Sequence, residues 1–212
     1  MKKLFLLSGL GADKRVFDFL DFGEHRLHHV AWIQPRPDDS LSSYAQRLLP
    51  QITEENATLI GVSFGGMIAL EIAKLIPVQK VILISSATSV AAIPTSFKVM
   101  AKLGMQRLLS PALLKKPNEM LYWLFGVTDN KHKALLAAIM NDTDEIFLAW
   151  ALTSIAAWKN NYYANHIVQI HGTHDRILSF QSADYRIEGG GHLMVVTRAN
   201  EVSAILKIIL QE

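Results

Sequence analysis

The stretch Gly61-Val62-Ser63-Phe64-Gly65-Gly66 constrains this chain more than any other. It closes a short apolar run, Thr58–Val62, and opens a segment with Ala69, Leu70, Ile72, Ala73 and Ile76 at helical spacing, stopped by Pro77. A serine at a sharp strand-to-helix turn is held in a strained backbone conformation that pushes its hydroxyl outward. The residues two before and two after it crowd each other, so both must be tiny, and Gly61 and Gly65 meet that demand. A helix beginning at Phe64 aims its N-terminal amides toward charge developing near the hydroxyl. A glycine-rich turn with an incidental serine is the plain alternative. The strand before and the helix after favour an exposed, reactive Ser63.

Short apolar runs alternate with helical patterns along most of the chain, which is the signature of a parallel sheet with crossover helices. Strands are expected at Lys3–Ser8, Val30–Gln34, Thr58–Val62, Val81–Ser85, Ile167–His171 and Tyr185–Glu188, with the leucine-rich and β-branched character of strands buried on both faces. Asp38-Asp39-Ser40 starts a helix carrying Leu41, Tyr44, Ala45, Leu48, Leu49 and Ile52. The last helix carries Val202, Ile205, Leu206 and Ile209, with Thr197 as its expected N-cap. Between residues 92 and 160 the rhythm breaks. That stretch has proline punctuation at Pro94, Pro111 and Pro117 and bulky residues that include Met100, Met105, Met120, Trp123, Phe125, Met140, Phe147, Trp150 and Trp158. It reads as a helical insertion within a single domain spanning residues 1–212.

Composition removes several classes of function. Half of the 212 residues are apolar and 19% are charged, as in a globular domain. A net charge of +2, without a basic run interleaved with aromatics, argues against nucleic acid as a partner. The chain has no cysteine, so disulfides, thiolate metal sites and cysteine nucleophiles are excluded. His25, His28 and His29 read as a solvated, charged connection and not as metal ligands, and no metal is expected.

The N-terminal MKKLFLLSGLGAD invites two further interpretations. As a secretory signal it fails, because its apolar run ends at Ser8-Gly9 and Asp13-Lys14-Arg15 follows, whereas a signal needs roughly 7–15 apolar residues and a small-residue cleavage site. No run approaches the roughly 18 apolar residues of a membrane span, so a cytoplasmic protein is expected. As a dinucleotide loop it also fails: Gly9-Leu10-Gly11 lacks the third glycine, whose place is held by Lys14.

Two later segments complete a pattern with Ser63. Ile170-His171-Gly172-Thr173-His174-Asp175-Arg176 follows the fifth expected strand, and Gly189-Gly190-Gly191-His192 follows the sixth. With these three motifs in this order, the chain resembles the α/β-hydrolase superfamily, in which an acid and a histidine follow the serine on later strand ends. The resemblance implies Ser63 as nucleophile, His192 as its base and Asp175 as the group that orients the histidine. Singly, Asp175 could be a turn aspartate and His192 a structural residue, and Asp142 or Asp144 is the runner-up acid. The resemblance further implies an oxyanion hole built from the backbone N–H of Phe64 and of Leu10, the latter in Ser8-Gly9-Leu10-Gly11, where Gly9 and Gly11 allow close approach. Ser8 stands where the superfamily usually has histidine.

The implied fold is a three-layer, open, mostly parallel six-stranded sheet in the order 2-1-3-4-5-6. It is a shortened α/β-hydrolase fold, since two strands that usually come first are missing. Residues 92–160 would form a helical lid over Ser63. The implied activity is that of a serine hydrolase, a carboxylesterase acting through an acyl–enzyme on a small apolar or acyl-bearing substrate, without cofactor. The same scaffold also carries C–C lyase or elimination chemistry, as in a menaquinone-pathway synthase, for which Arg15 or Arg107 reaching the pocket would speak. A non-enzymatic ligand-binding protein is the third possibility.

Overall fold

The computed structural model describes residues 1–95, 115–160, 162 and 166–211; Met100, Met105, Arg107 and Pro111 fall outside the described residues. Six strands form one parallel sheet: β1 (Lys3–Leu7), β2 (Arg26–His29), β3 (Ala57–Val62), β4 (Val78–Ile84), β5 (Ile167–Gly172) and β6 (Tyr185–Ile187). Their order is β2-β1-β3-β4-β5-β6. The sheet therefore reverses its direction of growth between β1 and β3, and such a switch point opens a crevice at the carboxyl ends of the strands. Leu7 lies opposite Gly61 in the register, so the loop after β1 and the turn after β3 emerge side by side.

Alternation along the strands divides the core into two layers. Leu4, Leu6, Ile60, Val62, Ile82 and Ile84 pack against Val202, Leu206 and Ile209 of the last helix. Phe5, Leu7, Leu59, Val81 and Leu83 pack against Tyr44, Leu48, Met67 and Leu70 on the other face. The helices of that second face are α1 (Leu41–Leu48), which Ser40 and Ser43 cap reciprocally, and α2 (Phe64–Leu75). Among the described residues, three α-helices stand between β4 and β5: α3 (Glu119–Phe125), α4 (Asn130–Asp142) and α5 (Glu145–Ala157), capped by Asn118, Asp129 and Asp144. The chain ends with α6 (Met194–Thr197) and α7 (Ala199–Gln211). Among the described residues, no helix is long and apolar enough to cross a membrane.

Three local expectations are corrected. The second strand is Arg26–His29, not Val30–Gln34. After the Val30 N–H bonds Leu6 O, the chain leaves the sheet and side chains take over its backbone groups. Gln51 bonds both the N–H and the C=O of Ala31, and the Tyr44 hydroxyl bonds both those of Ile33. An edge strand with one neighbour tolerates the polar sequence that its position left unread. His28 and His29 are consequently half-buried strand residues against Phe5 and Phe17, not part of an exposed connection. Thr197 closes α6, its hydroxyl donating to Leu193 O, and does not cap α7.

Candidate active site

Ser63 joins β3 to α2 with φ +52° and ψ −118°, a conformation that costs a serine about 1–3 kcal/mol and persists only when its surroundings enforce it. They do so from both sides. The Ser63 N–H donates to Ile84 O at 2.9 Å, and Ser63 O accepts from the Ser86 hydroxyl at 2.6 Å. A methyl group on Gly61 would lie 2.4 Å from the Gly66 Cα, so the turn cannot close over a larger residue. Ser63 makes no side-chain cap on α2, so its hydroxyl is not drawn back onto the first turn, whose Gly66 N–H donates to Ser63 O instead.

The structure brings Ser63, His192 and Asp175 together. His192 Nε2 lies 2.8 Å from Ser63 Oγ, and His192 Nδ1 lies 2.8 Å from Asp175 Oδ2. A carboxylate only accepts, so Nδ1 carries the proton and Nε2 is left to accept from the serine hydroxyl. Asp175 also serves its own turn: Oδ1 accepts from the N–H groups of Ile177 and Leu178, each at 2.9 Å. The turn aspartate and the partner of histidine are thus one residue, with one oxygen for each task. Burial pushes the Asp175 carboxyl up, but the charge of His192 and hydrogen bonds from His171, His192 and Leu178 N–H outweigh it and hold it well below the usual carboxylate range.

The loop after β1 meets this group. Ala12 N–H donates to Gly9 O at 3.0 Å, closing a turn with Leu10 and Gly11 at its centre. Gly11 has φ +70°, which the third position of a type II turn requires. The space where its side chain would stand is filled by Thr143, whose Oγ1 donates to Gly11 O at 3.0 Å. A Cβ on Gly9 would lie 3.6 Å from Ser63 Cβ, and one on Gly65 only 2.2 Å from Leu7 O. Loop and elbow are therefore in backbone contact. Ser8 is bonded on both sides: its hydroxyl donates to Ala12 O at 2.6 Å and accepts from Trp32 Nε1 at 3.0 Å.

Ser63 and His192 border a cavity of about 290 Å³. Leu10, Met67, Phe125, Ile139, Met140, Leu148 and Ile155 are among its walls, and Ser63 and His192 supply the polar side chains among the described lining residues. Phe125 packs edge-on to the His192 ring with centroids 5.4 Å apart.

Other expected participants lie elsewhere. Arg15 is paired at 2.7 Å with both Asp13 and Asp142, and it does not line the cavity. Asp144 caps α5 through Phe147 N–H, and neither it nor Asp142 bonds His192. His174 is exposed. Conversely, His171, Ser86 and Thr143 support the site without having been singled out. His171 is 1% exposed, and its Nε2 lies 2.9 Å from Leu178 O and 3.3 Å from Asp175 Oδ2. Since Leu178 O is an acceptor, Nε2 carries the proton and Nδ1 accepts from Gln169 Nε2 at 3.3 Å. A histidine four residues before the acid was the available signal; Ser86 and Thr143 had none, because their contacts are distant in sequence.

An open parallel sheet that brings serine, histidine and aspartate together at its strand ends defines the α/β-hydrolase class. The chain belongs to the alpha/beta hydrolase family, whose model matches residues 4–205. No curated protein matches it in sequence. Among solved structures, the esterase EaEST from Exiguobacterium antarcticum superposes with a TM-score of 0.77 at 16% identity, covering 100% of this chain and 92% of that one. MenH from S. aureus gives 0.69 at 15% identity, with 99% and 93% covered. A bromoperoxidase from Bacillus anthracis gives 0.69 at 17% identity, with 100% and 92% covered. At these identities the likeness is one of fold.

Proposed function

We propose that the protein is a serine hydrolase that cleaves small, neutral, apolar carboxylic esters through an acyl–enzyme intermediate. The observation that carries this proposal is the unbroken chain Ser63 Oγ–His192 Nε2 and His192 Nδ1–Asp175 Oδ2, each link 2.8 Å, at the wall of an apolar cavity. Neutral serine is a weak nucleophile and needs a base within hydrogen-bond reach. Ser63 Oγ attacks the ester carbonyl while His192 Nε2 takes its proton. Asp175 holds the tautomer and balances the imidazolium. The N–H groups of Leu10 and Phe64 stabilise the tetrahedral oxyanion. His192 then returns the proton to the departing alcohol, and a water molecule, activated in the same way, releases the acid. The sequence of steps uses no metal or organic cofactor.

In this proposal the described helices of the 92–160 insertion cover the site, because α3, α4 and α5 contribute Leu121, Phe125, Ile139, Met140 and Leu148 to the cavity, while residues 96–114 lie outside the described residues. Apolar walls exclude bulk water and select an uncharged acyl group. A carboxylate-bearing substrate, as a C–C lyase on this scaffold would take, finds no cation among the described lining residues, since Arg15 is spent on two aspartates. A cytoplasmic setting goes with this proposal, in keeping with a cysteine-free chain. The test is hydrolysis of p-nitrophenyl esters from acetate to laurate, with Ser63→Ala as control. Turnover by the wild type and background rates for the variant are expected. A folded wild type no faster than Ser63→Ala across the whole series would overturn the proposal.

A further inference from the structure

We propose that Ser8 and Trp32 form a positioning pair that fixes the spacing of the two oxyanion donors. The proposal rests on the serine-hydrolase reading above. An indole N–H only donates, so Ser8 Oγ must accept from Trp32 and is left with its single proton for Ala12 O. Both backbone groups of Ala12 are thereby bonded back across the turn, its N–H to Gly9 O and its C=O to the Ser8 hydroxyl. Leu10 is held at the apex of that closed turn.

Trp32 reaches the second donor as well. Its ring packs on Phe64, the first residue of α2, with centroids 5.6 Å apart, and is backed by Phe147 at 5.6 Å and Tyr44 at 6.3 Å. One side chain thus touches the Leu10 loop with its N–H and packs its ring, tilted by 55°, against that of Phe64. This also accounts for the apolar run Val30–Gln34, which is not a strand. Its backbone is tied to Gln51 and Tyr44, and it delivers Trp32 to the gap between loop and elbow. Neither Ser8 nor Trp32 lines the cavity, so neither contacts substrate. Their effect falls on kcat and leaves KM unmoved.

The experiment compares Trp32→Phe, which keeps a ring against Phe64 but loses the N–H, with Ser8→Ala and the double variant. Steady-state kinetics on the best nitrophenyl ester are combined with inhibition by a trifluoromethyl ketone, whose adduct with Ser63 carries the oxyanion. Misplacing a donor costs less than deleting it, so kcat is expected to fall roughly 10–100-fold, with KM unchanged and ketone affinity falling in parallel. The double variant should be no slower than the slower single one, because the two residues act as one unit. Wild-type kcat and ketone affinity in Trp32→Phe would overturn the proposal, as would losses that multiply in the double variant. If Ser8→Ala does not fold, Trp32→Phe alone decides. An active wild type with unaffected variants refutes the pair only, whereas a wild type inactive on every ester refutes the hydrolase proposal and the pair with it.

Discussion

Replacing Gly65 by alanine tests how tightly the elbow is set against the loop after β1. A Cβ at this position meets Leu7 O at 2.2 Å, Ser8 O at 2.3 Å and Leu7 C at 2.6 Å. All three are backbone atoms. They belong to the end of a strand paired on both sides, with β2 and with β3, so they cannot turn away as a side-chain tip would. Ordinary contact is reached only if the start of α2 retreats from β1 by about 1 Å, an overpacking that costs about 1–3 kcal/mol. For a chain of this size that lowers Tm by roughly 2–4 °C per kcal/mol. The same retreat separates Phe64 from Leu10, and a displacement of about 1 Å at a reacting centre costs roughly 10²-fold in rate. Gly23→Ala is the control: Gly23 has φ +65° but nothing within 4 Å of its missing Cβ, so it is expected to lose stability and keep its kcat. Thermal melts and ester kinetics on both variants decide the matter. A Gly65→Ala enzyme with wild-type Tm and kcat would refute the packing argument.

Other expectations follow from single residues. Asp175→Asn should lower kcat by roughly 10⁴-fold, since the amide favours the wrong histidine tautomer; wild-type kinetics in this variant would remove Asp175 from the mechanism. Because the Asp175 carboxyl is held below its unfolded value, its stabilisation is complete above about pH 4 and fades as pH falls further, so acid melts of the wild type should drop more steeply there than those of Asp175→Asn. Burial lowers the affinity of His29 for its proton, so stability is lost as pH falls below about 6.5; His29→Phe should flatten the Tm profile below that pH. His171→Phe leaves Leu178 O and Asp175 short of a donor and should cost about 1.5–3 kcal/mol of stability together with part of kcat, while His171→Gln restores both; kinetics and melts that do not distinguish the two variants would deny His171 a positioning role.

What the sequence disclosed and what it hid follow one physical rule. Features set by local backbone demands were legible: the tiny residues around Ser63, the glycines of the loop after β1, the aspartate three positions beyond the end of β5. Inner strands announced themselves as apolar runs, and the edge strand Tyr185–Ile187 by its place after β5 and before the glycine run, so five of the six lie where their sequences place them. The edge strand Arg26–His29 did not, because one exposed flank and one neighbour leave little apolar signal, while the adjacent Val30–Gln34 is apolar in order to seat Trp32 among aromatic rings. Supports that bridge long sequence separations were also hidden. The bond between Ser8 and Trp32 spans 24 residues, and that between Thr143 and Gly11 spans 132. Only folding places these groups together, so nothing in either local sequence marks them.

The most direct test of a reactive Ser63 is covalent. The folded wild type, treated with a fluorophosphonate probe and analysed by intact-mass and peptide mass spectrometry, is expected to gain one adduct per chain on the peptide that contains Ser63, and Ser63→Ala is expected to gain none. A folded wild type that remains unlabelled, or a Ser63→Ala protein labelled to the same extent, would contradict the account.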